Sequence, residues 1–158
     1  MVYRTYSGLG PPDAAVREFD KLAAHAQQLL DLQRECALLS ADYMALLVAL
    51  DGLEAAAYHF TRRPYFYQAL RSDAERGGDS NGRLSDRAEA IRAFQALEPY
   101  AERLRTLQGC CRPYGRDYAA LEIARQGLET AAYHFTREAS FYGARGDSAG
   151  PTRPPRGG

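Results

Sequence analysis

Two histidines occupy matching places in this chain. His59 lies in Tyr58-His59-Phe60-Thr61-Arg62 and His134 in Tyr133-His134-Phe135-Thr136-Arg137. Each follows a glutamate by five residues, Glu54 and Glu129, and each half also has a glutamine in an apolar stretch, Gln33 or Gln108. Histidine and carboxylate side chains projecting into a helical core are how bundle proteins hold iron or zinc, usually through a Glu-x-x-His step that sets both ligands on one face. A step of five instead turns the histidine about 140° away from the glutamate. A metal site would therefore need His59 from one half and Glu129 or His134 from the other. The competing reading is a histidine near a helix C-terminus, favoured there by the dipole and bonded to a carbonyl or a tyrosine. No metal or cofactor is expected, with His59 and His134 kept as the alternative.

An amide inside an apolar seam must find hydrogen-bond partners or cost stability. Gln33 and Gln108 are therefore expected to meet as a polar layer that fixes register, with lining a ligand site as the alternative. Glu54, Tyr58 and Arg62 are spaced by four, as are Glu129, Tyr133 and Arg137, so each trio should run along one outer edge of a helix. Tyrosine and arginine are also the residue types that anchor protein interfaces. These six residues are the interaction candidates.

The matching is not confined to the histidine run. Displaced by 75 positions, residues 13–67 lie on residues 88–142 without a gap, and 26 of the 55 positions are identical. A period of this kind sets the architecture. In the first copy Ala15, Phe19, Leu22, Ala26, Leu29, Gln33 and Cys36 alternate in steps of four and three, which makes one helical stripe. Ala90, Phe94, Leu97, Ala101, Leu104, Gln108 and Cys111 repeat it residue for residue. A second stripe of Leu46, Ala49, Leu53, Ala56 and Phe60 is matched by Leu121, Ala124, Leu128, Ala131 and Phe135. Beside it Ala45, Gly52 and His59 recur at seven, small enough at Gly52 to let another helix come close.

Pro113-Tyr114-Gly115 breaks the second copy between its stripes, with Asp117, like Asp42, expected to cap the following helix. Pro64 should end the first copy's second helix near Arg63. Phe66, Tyr67, Phe141 and Tyr142 are expected to fold back over the hairpin ends. The short connections require antiparallel helices. The expected fold is all-α: an internally duplicated helical hairpin forming an antiparallel four-helix bundle with pseudo-twofold symmetry. Residues 1–12 read as a flexible N-terminal segment, 13–70 as hairpin repeat 1, 71–86 as a flexible linker, 87–142 as repeat 2 and 143–158 as a disordered tail. The linker is long enough for the bundle to close within one chain or by exchange between two.

Twenty basic and twenty acidic side chains cancel, so the broad positive field that nucleic acid or an anionic membrane would require is missing. Three cysteines without metal-type spacing point to buried thiols in a reducing compartment, the cytoplasm. There is no stretch of 18 apolar residues, and Met1 to Pro12 lack the apolar core of a signal peptide. Arg145-Gly146-Asp147 spells an integrin-type triplet too short to carry weight. No phosphate loop or nucleophile triad is present, and no catalytic residue is assigned. The function expected is a small, non-enzymatic interaction or regulatory module whose partner is another protein or a second copy. The alternative is a ligand- or metal-binding bundle, catalytic or not, built on the repeated His, Glu and Gln positions.

Overall fold

The computed structural model describes residues 6–72 and 83–143, and these residues are helical, without a strand. In the first half the helices are α1 (Pro12–Lys21), α2 (Ala23–Arg34), α3 (Ala41–Thr61) and the short α4 (Gln68–Ser72). After a 3-10 turn at Arg83–Ser85, α5 (Arg87–Gln95), α6 (Glu98–Gly109) and α7 (Arg116–Thr136) follow. Every residue of the two seven-membered stripes is buried. The stripes do not form single helices, however. The first breaks at Leu22 and its counterpart at Ala96 and Leu97.

A side chain inserted into the backbone ladder accounts for the break. Tyr67 Oη donates to the Phe19 carbonyl at 2.6 Å, and Tyr142 Oη to the Phe94 carbonyl at 2.5 Å. Both carbonyls then accept only a tighter bond from three residues on, Leu22 N at 3.1 Å and Leu97 N at 3.1 Å. Pro99, with no N–H to give, suits this break, but the first half has Ala24 there and breaks identically. The aromatic turns after α3 and α7 thus fold back as expected. Their tyrosine hydroxyls reach through to the first helices, and Tyr67, Phe141 and Tyr142 are buried.

The end of α3 falls close to the expected place but has another cause, which α7 shares. α3 stops at Thr61, with Arg62 in the left-handed region at φ 61, and α7 stops at Thr136, with Arg137 at φ 61. Proline cannot be the cause, because the second half has Ala139 where the first has Pro64. The buried threonine hydroxyls do the work. Thr61 Oγ1 donates to the Ala57 carbonyl and accepts from Arg63 N, and Thr136 does the same with Ala132 and Glu138. At the other end, Ser40 rather than Asp42 caps α3 by accepting from Tyr43 N, and Gly115 stands at the N-cap of α7 with no side-chain cap.

α3 and α7 form the centre and run in opposite directions. Gly52 abuts Ile123 and Ala124, while Gly127 abuts Val48 and Ala49. A Cβ on Gly52 would lie 2.7 Å from the Ile123 carbonyl oxygen, and one on Gly127 would lie 2.8 Å from that of Val48. The glycines are what permit so close a crossing. α1 and α2 cover one side of α3, and α5 and α6 the same side of α7. The two covers touch through the stacked His25 and Tyr100 rings, 5.4 Å apart, and the Glu18–Arg103 ion pair. Residues 73–82, within the expected linker, and 144–158, with the Arg-Gly-Asp triplet, lie outside the described residues. The linker's described ends are Ser72 in α4 and the 3-10 turn, whose Leu84 is buried.

Candidate functional site

The antiparallel crossing sets the C-terminal histidine of each central helix beside the first-turn aspartate of the other. His59 Nε2 lies 2.8 Å from Asp117 Oδ1, and His134 Nε2 lies 2.7 Å from Asp42 Oδ1. Helix dipoles favour this exchange, since the acid stands at a positive helix end and the imidazole at a negative one. The expected partners, a carbonyl or a tyrosine, are replaced by carboxylates from the other half. Asp42 and His59 lie at opposite ends of α3, so the two histidines are separated by about 25 Å of helical rise. They cannot share an ion, and the metal alternative built on both loses its geometry. No group of three or more His, Cys, Asp or Glu side chains among the described residues could hold a metal.

The glutamines do not meet either. Gln33 Nε2 donates to the Tyr43 carbonyl at 3.4 Å and Gln108 Nε2 to the Tyr118 carbonyl at 3.2 Å. Each staples α2 to α3, or α6 to α7, within its own half. A carbonyl in the first turn of the following helix satisfies the amide, so no second amide is needed.

The Glu-Tyr-Arg edges split. Glu54 Oε1 accepts from Tyr67 N at 2.9 Å, and Glu129 Oε1 from Tyr142 N at 2.8 Å, so these carboxylates anchor the aromatic turns. Tyr58 and Tyr133 instead stand in solvent, each 49% exposed, with the Arg137 guanidinium 6.0 Å from the Tyr133 ring centre. They continue a longer exposed stripe. On α3 it runs Met44, Val48, Asp51, Ala55, Tyr58 and Arg62, and on α7 Ala119, Ile123, Gln126, Thr130, Tyr133 and Arg137. Together the two stripes form the face of the α3–α7 pair turned away from the cover helices.

Val48 and Ile123, 45% and 53% exposed, flank the glycine crossing at the centre of that face and line an open, mainly apolar hollow of about 820 Å³. The sequence pattern does not single them out. The signal available was the same four-three spacing, running from Tyr58 back to Met44.

A second cleft, of about 750 Å³, lies beside α6 and α7 between Arg105, Arg125, Glu129 and Tyr133. Cys36, Cys110 and Cys111 are all free thiols. Burial pushes Cys36 up to about 11, with help from Asp42 and Glu35, and burial pushes Cys111 to about 11, aided by Asp117 and Cys110. Neither is an activated nucleophile. No helix among the described residues is long and apolar enough to cross a membrane. No protein-family model, curated protein or solved structure matches the chain.

Proposed function

We propose that this chain is a small, non-enzymatic interaction module that pairs with a second copy of itself through the open face of α3 and α7. The supporting observation is the continuous exposed stripe on each helix, with Val48 and Ile123 at its centre and Tyr58 and Tyr133 at its two ends. Tyrosine and arginine at the ends and aliphatic groups at the centre are the composition of an interface. A face whose two ends resemble one another under a half-turn is self-complementary, as a twofold dimer contact must be.

Charge favours the same occupant. The chain's formal charges sum to zero, so two copies do not repel at long range. Asp51 on the face is within 3.4 Å of Arg71, and Glu122 at its edge within 2.7 Å of Arg125, so the rim brings few unpaired charges together. The balance does not suit nucleic acid or an anionic membrane. Free thiols, two of them buried, suit a reducing cytoplasm.

The architecture behind the face is, in this reading, a duplicated hairpin closed into an antiparallel four-helix bundle about an approximate twofold axis. Support comes from bonds that recur at an offset of 75: the histidine–aspartate pairs, the tyrosine hydroxyls, the glutamine staples and the threonine stops. Of the alternative, only the ligand-binding version retains support, from the cleft beside Arg105 and Arg125.

Sedimentation velocity over a range of concentrations tests the proposal. The wild-type chain should shift to dimer mass as concentration rises, and Tyr58→Ala with Tyr133→Ala should weaken that shift while helicity stays unchanged. A wild-type chain that is monomeric at every concentration, or a variant that dimerises equally well, would refute it. Heterologous binding by a persistently monomeric chain would transfer the face to another protein and end the self-pairing claim.

A further inference from the structure

The two halves agree at the seam and disagree in one place where disagreement is physically costly. In the first half Leu30 on α2 and Leu50 on α3 are 2% and 1% exposed, α4 packs against α2, and Leu70 of α4 packs on the core. Seventy-five residues on, the counterparts are Arg105 and Arg125, and the counterpart of Leu70 is Arg145, outside the described residues. Two leucines buried in one hairpin thus become two arginines in the other. A cleft of about 750 Å³ lies there, with Gly143 on its rim. That is within the range of about 300–1,000 Å³ typical of small-molecule sites.

We propose that this cleft binds a small anion of the carboxylate or phosphate class, with Arg105 and Arg125 as its charged ligands. Partly burying a guanidinium where leucine fits is unfavourable unless its charge is compensated. The protein's own bonds engage each guanidinium only in part, and the Arg105 and Arg125 side chains stay 34% and 25% exposed. Arg105 donates to Glu102 Oε1 and to the Tyr142 carbonyl, each at 3.1 Å, and Arg125 donates through Nε to Glu122 Oε1 at 2.7 Å. The terminal nitrogens of Arg125 make no hydrogen bond among the described residues, and a guanidinium fork suits a planar carboxylate or a phosphate.

The remaining lining group of opposite charge, Glu129, already accepts from the Tyr142 amide at 2.8 Å. Thr130, Tyr133 and Ser140 also line the cleft. The two charged ligands, Arg105 and Arg125, stand where the halves differ and off the self-pairing stripe, whereas Thr130 and Tyr133 border both, so the test reads the two arginines and stands or fails separately from the dimer measurement.

The test uses the full chain and two probes, inorganic phosphate and succinate, each titrated against sodium chloride at constant ionic strength. The arginine Nε resonances and the backbone amide resonances of the cleft residues are followed by NMR, the amides serving for the variants. A saturable shift at Arg105 and Arg125 is expected with at least one probe, and which probe saturates identifies the headgroup. Arg105→Leu with Arg125→Leu installs the first half's own residues. It should fold, raise the thermal midpoint and weaken the response about tenfold or more, the loss expected on removing a charge-assisted hydrogen bond. Arg125→Gln is the guard variant should the double change not fold, and it too should weaken the response. No saturable shift with either probe in the wild type, or an equal affinity in the variants, overturns the proposal.

Discussion

His59 and His134 owe their surroundings to the opposite half of the chain. Each bond joins a side chain 28% or 27% exposed to an aspartate about half exposed, so solvent screens much of the attraction. Each pair should contribute only about 0.5–1 kcal/mol. A double-mutant cycle on His59→Ala and Asp117→Ala, read by urea denaturation, should return a coupling of that size, and zero coupling would show that the pair does not hold the halves together. The cysteines give a second prediction at this scale. Cys110 is partly exposed, whereas Cys36 and Cys111 are buried with pKa raised to about 11. Cys110 should react first with a thiol reagent at pH 8, as located by mass spectrometry. Because folding favours the neutral form of the two buried thiols, their contribution to stability is complete below an ordinary thiol value near 9.0 and is lost as pH rises through about 11.

At the scale of the element, the close crossing of α3 and α7 rests on two glycines. Alanine at Gly52 would gain about 1 kcal/mol of helix propensity. Its Cβ, however, would stand 2.7 Å from a backbone oxygen that cannot rotate away, and overpacking of this kind costs about 1–3 kcal/mol. Gly52→Ala and Gly127→Ala should each lower the urea midpoint, and the double variant should depart from additivity because both touch one crossing. A raised midpoint would contradict so tight a contact. The seam residues were legible because a period of four and three, repeated at an offset of 75, leaves little freedom. The break at Leu22 was not, because its cause is Tyr67 Oη, remote in sequence, and the one local sign, Pro99, belongs only to the second half. The cause of the α3 stop is hidden for a similar reason: Pro64 is conspicuous, yet Thr61 and Thr136 are what both halves share.

For the whole molecule, what escaped the sequence was the register between halves. His59 faces Asp117 and Gly52 faces Ile123 only after α3 and α7 are laid antiparallel with a particular offset, and no local pattern fixes that offset. Hence the seam pattern suggests a shared axis that Gln33 and Gln108 do not reach, and the spacing of four suggests a common edge for Glu54 and Tyr58 although Glu54 turns inward to the Tyr67 amide. The same register brings Val48 and Ile123 together on one open face, from which the self-pairing proposal is drawn. The most direct measurement is molar mass by light scattering across a concentration series, comparing the wild type with Val48→Glu plus Ile123→Glu. Both positions are exposed, so the variant should keep its helicity. Dimer mass for the wild type and monomer mass for the variant is the predicted result, and equal masses for the two at every concentration would contradict it.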